Sequence, residues 1–465
     1  MIKFLKFIPV VAIALVALTA CGDEEPETPK PDKPDTPVTP VEPDDEGGEF
    51  ADDDELLDYI QKVHFNYMWD GAEPVSGLAH ERIHLDSSED FHNGVLTTGG
   101  SGFGIAGIIT AIHRGFISRD EGRERLQKIV AFLGKADRYH GVWPHWISPR
   151  TGTTVPFSTK DNGADLVESS FLMQGLLIAR EYFKNGSESE QKLASDIDKL
   201  WKEMEFDWFT RDGQDVLYWH WSPNYAWDMN MPVRGYNECM IVYILAASSP
   251  THSITADVYH QGWAQGGGIK SGATAYGLPL VVKHAGAEGS GGPLFWAHYS
   301  WIGLCPKGLS DQYANYWDVT RNHAMINYKY CVANPRNYKG YGADCWGLTA
   351  SYSPDGYSAH SPGNDLGVIA PTAALSSFPY TPDESMAALK GFMGRGSRLM
   401  GKFGFFDAFC DSKNWYPQRY LAIDQLTIAP MIENYRSGLL WNLFMEAPEI
   451  QQGLQKLGFT YTKSN

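Results

Sequence analysis

From Ala51 onward, apolar positions recur every three or four residues, the period of a helix with one buried face. Leu56, Ile60, Val63 and Tyr67 follow an acidic start at Asp52 in this way. A second helix is predicted from Gly102 to Arg114, and Ser118 with Glu121 makes a capping box for a third reaching Ala136. A fourth runs from Asp161 to Tyr182 through Leu172, Leu176 and Ala179. Ser187 to Trp208 is amphipathic, and Tyr236 to Ala247 is almost wholly apolar after Glu238. Further helices are expected over Asp311 to Tyr330, Gly367 to Ser376, Gln425 to Met445 and Glu449 to Leu457. Thr381-Pro382-Asp383-Glu384 reads as another start, with a cap, a proline and an acid in order. Hairpins are expected only near Asp215–Trp221 and Trp263–Trp301, and no strand–helix–strand rhythm appears. The pattern predicts an all-α fold: a toroid of paired inner and outer helices around an axial cleft, joined by long aromatic loops with a few short strands.

The pattern breaks down before residue 51. Lys3 and Lys6 precede an apolar run from Phe7 to Leu18, and Leu18-Thr19-Ala20-Cys21 ends it. Residues 1–20 thus read as a lipoprotein signal peptide, with cleavage before Cys21 and acylation of its thiol. Residues 21–50 are rich in proline and acid and have too little apolar surface to fold, so they read as an extended tether. Residues 51–465 are left as one folded domain, the (α/α) toroid. Gly22-Asp23-Glu24-Glu25 resembles the surface-export signal of Bacteroidetes lipoproteins. That resemblance points to a lipid anchor in the outer membrane, on its outer face or the periplasmic one.

Of 465 residues, 43% are hydrophobic and 13% aromatic, enough for a large core. The net charge of −18 is concentrated in the tether, where eleven acids meet two lysines, and it argues against nucleic acid as a partner. Cys239, Cys305, Cys331, Cys345 and Cys410 are widely spaced, with no CxxC pair to suggest zinc and one disulfide at most.

Three acids stand at i, i+4 and i+7: Asp161, Asp165 and Glu168. On a helix they share a face, either as a catalytic group or as a solvated, dipole-matched start. Glu238 lies at the mouth of an apolar helix, where a carboxyl should hold its proton as a general acid must; a helix-dipole acid is the plainer account. Asp407 sits in Gly404-Phe405-Phe406-Asp407, and Asp424, Glu433 and Arg436 flank a late helix, the last two as an internal ion pair. Trp219, His220, Trp221 and Trp227 belong to an aromatic run that reads as a sugar platform. His80-Glu81-Arg82-Ile83-His84 matches the HExxH zinc pattern, but its flanks suit a loop in which Glu81 or Arg82 touches substrate. Gly100, Gly102 and Gly104 lack the context of a phosphate loop and suggest a close backbone approach.

Several stretches together resemble one known family. They are Ser76-Gly77-Leu78 with Glu81-Arg82, Thr98 to Gly104, Asp161 to Glu168, Tyr236-Asn237-Glu238, Gly404 to Asp407, and Ile423-Asp424-Gln425 through Ile432-Glu433-Asn434. The set is similar to the bacterial glucoamylase-like family that includes endo-β-1,2-glucanases, over about Ala51 to Leu457. The resemblance implies an (α/α)6 toroid that hydrolyses β-1,2-glucan or sophorose-containing oligosaccharides with inversion; no cofactor and no catalytic metal are expected, and a structural cation is left open. It implies a catalytic set of Glu238, Asp161, Asp165, Glu168 and Asp407. Glu238 is expected as the acid and the Asp161/Asp165/Glu168 face as the base, with Asp407 as its rival. Glu81, Arg82, Trp219, His220, Trp221, Trp227, Tyr236 and Trp346 are expected to bind substrate. A non-catalytic surface glycan-binding lipoprotein is the alternative, and a polysaccharide lyase fits the acids less well.

Overall fold

Helices of two kinds build the molecule, described here from a computed structural model over residues 50–87 and 94–463. In chain order they are α1 (Asp53–Trp69), α2 (Thr98–His113), α3 (Arg119–Leu133), α4 (Leu166–Phe183), α5 (Glu188–Lys202), α6 (Met240–Ser248) and α7 (Tyr316–Ala333). Then come α8 (Pro371–Leu375), α9 (Pro382–Met393), α10 (Ala422–Gln425), α11 (Ile428–Arg436), α12 (Leu439–Met445) and α13 (Pro448–Lys456). The expected signal peptide, Cys21 and the tether through residue 49 lie outside the described residues. Asp54–Asn465 form one compact unit.

Helices α2, α4, α6 and α8 are buried almost all round, whereas α3, α5, α9 and α13 bury one face only. A helix apolar on every side must be surrounded by protein, so the first group forms an inner ring and the second an outer one. The ring runs from α2 to α4 to α6, then through the 3-10 turns at Leu294–Ala297 and Tyr299–Trp301, and returns through α8 and α11 to α2. Each inner segment has an outer partner: α3 behind α2, α5 behind α4, α13 behind α6, α7 behind the 294–301 turns, and α9 behind α8. Helix α1 backs α11, where Gln61 Nε2 donates to the Ala429 carbonyl (3.1 Å). The fold is the α/α toroid the pattern predicts. Strands are short: some form local hairpins, as Lys270–Ala275 with Leu278–Val282, and others tie distant segments together, as Ala164–Asp165 with His220–Trp221.

The glycines of the Thr98–Gly104 stretch lie inside α2 rather than in a loop. A Cβ on Gly102 would meet the Phe171 carbonyl oxygen at 2.2 Å, and one on Gly175 would meet the Gly102 oxygen at 2.0 Å. The absent side chains let α2 and α4 cross backbone to backbone. The capping box at Ser118 and Glu121 forms as expected.

Three expectations need correction, and the zinc reading of residues 80–84, already disfavoured by their flanks, finds no helix. Helix α4 begins only at Leu166, with Asp165 as its N-cap and Asp161 in the loop before it. Residues 80–84 are extended: Arg82–His84 pairs with Arg419–Leu421, so His80 and His84 do not share a helical face as a zinc pair would. The long helix expected over Gln425–Met445 is three helices, α10 to α12. Pro430 cannot donate a hydrogen bond to the residue four back, and Gly438 turns left-handed at φ +68°. Glu433 pairs with Arg114 (2.6 and 2.9 Å), not with Arg436, which reaches Asp58 (2.5 Å).

Candidate active site

The inner segments present their N-terminal ends to one acidic group of side chains. Such ends carry unpaired N–H groups and a partial positive charge, which favour carboxylates. Glu168, in the first turn of α4, accepts a hydrogen bond from the Gly99 N–H at the start of α2 (2.8 Å). Gly99 has no room for a side chain, since a Cβ would lie 2.4 Å from the Glu168 Oε2. Burial is the main reason that Glu168 is pushed up to about 7; Asp165 and Glu81 add to the effect, while His145 opposes it.

Asp165 is held differently. Its Oδ1 caps α4 through the N–H groups of Val167 (3.0 Å) and Glu168 (2.9 Å). Its Oδ2 accepts from His145 Nδ1 (2.9 Å) and lies 3.6 Å from His220 Nε2. His220 Nε2 is also 3.3 Å from Asp161 Oδ2. Burial would lower both imidazoles, but the surrounding carboxylates overcome it and hold His145 up at about 10 and His220 up at about 9. Asp165 falls well below the usual carboxylate range: burial alone would raise it, but the hydrogen bonds from His145 and His220 prevail. His145, Asp161 and Asp165 offer ligand atoms within 4.8 Å of one another. They could take a divalent cation only by giving up these proton-bridged contacts.

Glu238 sits in the loop just before α6, half-buried, with its backbone carbonyl accepting from the Ser300 hydroxyl. Burial pushes its carboxyl up to about 7, and no cation is among the causes of that shift. The buried thiol of Cys239 lies within electrostatic reach of Glu238, Asp165 and Glu168, which brings the acids of α4 and α6 to one place.

A second pair completes the group. Asp407 Oδ2 accepts from the Tyr352 N–H (2.7 Å), and Asp424 Oδ1 accepts from the Tyr299 hydroxyl (2.9 Å). The two carboxyls stand near enough for one proton to bridge them, and Asp407 Oδ1 and Asp424 Oδ2 are buried with no other hydrogen-bond partner among the described residues. Burial pushes Asp407 up to about 6; burial and then the charge of Asp407 push Asp424 well above its ordinary value. Two adjacent carboxyls in a buried place share one proton and one charge. Tyr299 stands on an aromatic plug from three inner segments, with ring centres 5.0 Å from Phe103 and 5.6 Å from Phe171. Glu81 lies in reach of both Glu168 and Asp424, and Arg82 lies 3.7 Å from Glu81 and 5.9 Å from the Trp146 ring centre.

The structure therefore brings together Asp161, Asp165, Glu168, Glu238, Asp407, Glu81, Arg82 and His220, with Trp219 stacked on His220 (5.6 Å). It does not bring in every predicted residue. Tyr236 and Trp346 are fully buried: the Tyr236 hydroxyl donates to the Trp296 carbonyl, and the Trp346 N–H to the Glu384 carbonyl. Both side chains are packed into the core. Trp221 follows His220 along a strand, so it faces the opposite way, toward His140 (5.2 Å) and Trp208 (6.3 Å); Trp227 packs beside Trp208 (6.3 Å). His145, Tyr299 and the partnership of Asp424 with Asp407 escaped the sequence, because each depends on contacts between distant segments. A surface hollow of about 410 Å³ lies elsewhere, beside α12 and α13; its one acid, Glu446, is exposed and paired with Lys463.

A helical toroid with proton-holding carboxyls gathered at the N-terminal ends of its inner ring has the build of a toroidal glycoside hydrolase. The glycoamylase family model matches residues 230–448. An endo-β-1,2-glucanase from Chitinophaga pinensis, solved with sophorotriose and glucose, is 58% identical, with a TM-score of 0.86 over 88% of this chain and 99% of that one. An exo β-1,2-glucooligosaccharide sophorohydrolase from Parabacteroides distasonis is 45% identical over 87% of this chain; the chain spans 58% of that relative's length. An endo-β-1,2-glucanase from Talaromyces funiculosus, only 10% identical, shares the fold at a TM-score of 0.62. The chain belongs to the glucoamylase-like family that contains these bacterial β-1,2-glucanases.

Proposed function

We infer that this protein hydrolyses β-1,2-linked glucan or its sophoro-oligosaccharides with inversion at the anomeric carbon. The observation that carries the inference is the unlike protonation of acids in one place. Glu238, pushed up to about 7 by burial, still holds a proton near neutral pH. The Asp407–Asp424 pair keeps one negative charge. Inversion needs both: an acid to protonate the leaving oxygen, and a carboxylate to take a proton from the attacking water.

Glu238 is assigned the acid role. The base role moves from the Asp161/Asp165/Glu168 face to the Asp407–Asp424 pair, because Asp165 and Asp161 are neutralised by His145 and His220. Their network fixes the start of α4 and so the position of Glu168. Glu81, Arg82, Trp146 and Trp219 supply polar and aromatic contacts for sugar rings. The similarity to the sophorotriose-bound enzyme supports the choice of linkage.

The lipid anchor belongs to the same proposal: Cys21 carries the acyl chains, and the domain works at the outer membrane. The test of function is a product profile on defined β- and α-glucans, with the anomer followed by NMR. Cleavage of β-1,2-glucan with the α-anomer released first is expected. Release of the β-anomer first would overturn inversion, and binding without cleavage would overturn the enzyme assignment.

A further inference from the structure

The hairpin of Ala350–Ser353 and Gly356–Ala359 reaches the acid group from a part of the chain that the mechanism has not used. Its two-residue turn is Pro354-Asp355, and its register sets Tyr352 directly opposite Tyr357. Directly opposed residues of an antiparallel pair project from the same face. Tyr352 fixes where that face looks. Its N–H holds Asp407 Oδ2 (2.7 Å), its hydroxyl meets His84 Nε2 (2.8 Å), and its ring stands edge-on to His84 (5.4 Å). Tyr357 therefore shares the face that looks toward the Arg82–His84 strand, next to Glu81, while Asp407 lies at the edge of the hairpin.

The surroundings of the Tyr357 phenol agree. It lies within electrostatic reach of Asp424, Asp407, Glu81 and Tyr352, and it is felt in turn by Tyr299 and Arg82. These groups come from five separate stretches of chain. Yet Tyr357 is 45% exposed, while Tyr352 is 8% exposed. A side chain ringed by protein groups and still open to water lines a hollow rather than filling a core. Its hydroxyl has no hydrogen-bond partner among the described residues, although it stands near several carboxyls. Such a group offers a free donor beside the charge-bearing pair.

We propose that Tyr357 is a substrate-contacting residue, whose hydroxyl hydrogen-bonds to the glucosyl unit bound beside Asp407 and Asp424 and whose ring lies against that sugar. This rests on the reading of the acid group as a glucanase site. Tyr352, opposite it, is the positioning residue: it holds Asp407 and the hairpin together, so that the sugar contact and the base move as one.

The test compares Tyr357→Phe and Tyr357→Ala with the parent. Sophorotriose binding is measured by calorimetry in the Glu238→Gln background, and kcat and KM in the active enzyme. Loss of one neutral hydrogen bond should weaken binding and lower kcat/KM by about tenfold in the Phe variant, and loss of the ring as well by about a hundredfold in the Ala variant. The unfolding midpoint of the Phe variant should stay unchanged. Binding and kcat/KM within about twofold of the parent in the Phe variant would overturn the proposal. So would a fall in kcat with a displaced acid limb and unaltered affinity, which would make Tyr357 act through Asp407. If the parent leaves β-1,2-glucan intact, the substrate reading fails on its own. The Phe-to-parent comparison is then made on the glucan that is cleaved, and it still judges the tyrosine.

Discussion

Asp165 and Glu238 show how environment, not residue type, assigns roles. Asp165 faces two imidazoles and caps a helix, so it stays charged; Glu238 faces neither and keeps its proton near neutrality. The acid must be protonated and the base ionised, so kcat/KM should be bell-shaped in pH. Its acid limb should lie near 6, from Asp407 and its partner, and its alkaline limb near 7, from Glu238. A profile flat from pH 5 to 9 would contradict both assignments. The histidine network makes a second pH prediction. His145 and His220, raised to about 10 and about 9, contribute stability that is full below the ordinary value of 6.5 and is lost as pH climbs through 9 to 10. Depressed Asp165 contributes above its ordinary value and loses that contribution in acid. The melting midpoint should therefore fall more steeply between pH 7 and 10 in the parent than in His220→Gln. Equal slopes would show that the imidazole is not charged in the fold.

At the scale of elements, periodicity revealed most helices but misplaced their starts, where the acids of the proposed site lie. The spacing of Asp161, Asp165 and Glu168 suggested a single helical face. Only Glu168 is helical, because the Asp165 carboxylate caps the helix and Ala164–Asp165 pairs with His220–Trp221. The three acids still converge, through a strand pairing that no local pattern announces. The break of the late helix was legible in Pro430 and Gly438, but its apolar run masked it. The partnership of Asp424 with Asp407 joins two loops and was not legible at all. One packing feature gives a test. Gly102→Ala would force a Cβ to 2.2 Å from the Phe171 carbonyl and should cost about 2–3 kcal/mol in chemical denaturation. Gly272→Ala, with nothing within 4 Å of the new carbon, should cost under about 0.5 kcal/mol. Equal costs would contradict the close crossing of α2 and α4.

For the whole molecule, helix count and length predicted the toroid, and the buried acids Asp165, Glu168, Asp407 and Asp424 gather toward the ends of its inner segments. The anchor is a separate matter. Cys21→Ser should abolish labelling by a fatty-acid probe and move the protein from the membrane to the aqueous fraction, without changing kcat/KM of the purified domain; persistence at the membrane would contradict lipidation at that thiol. The central claim is that Glu238 supplies the proton to the leaving oxygen, and leaving-group dependence tests it most directly. Glu238→Gln should lose about 10²–10⁴-fold on β-1,2-glucan but cleave a sophorosyl fluoride, which needs no proton, nearly as fast as the parent. Equal losses on both substrates would contradict the claim.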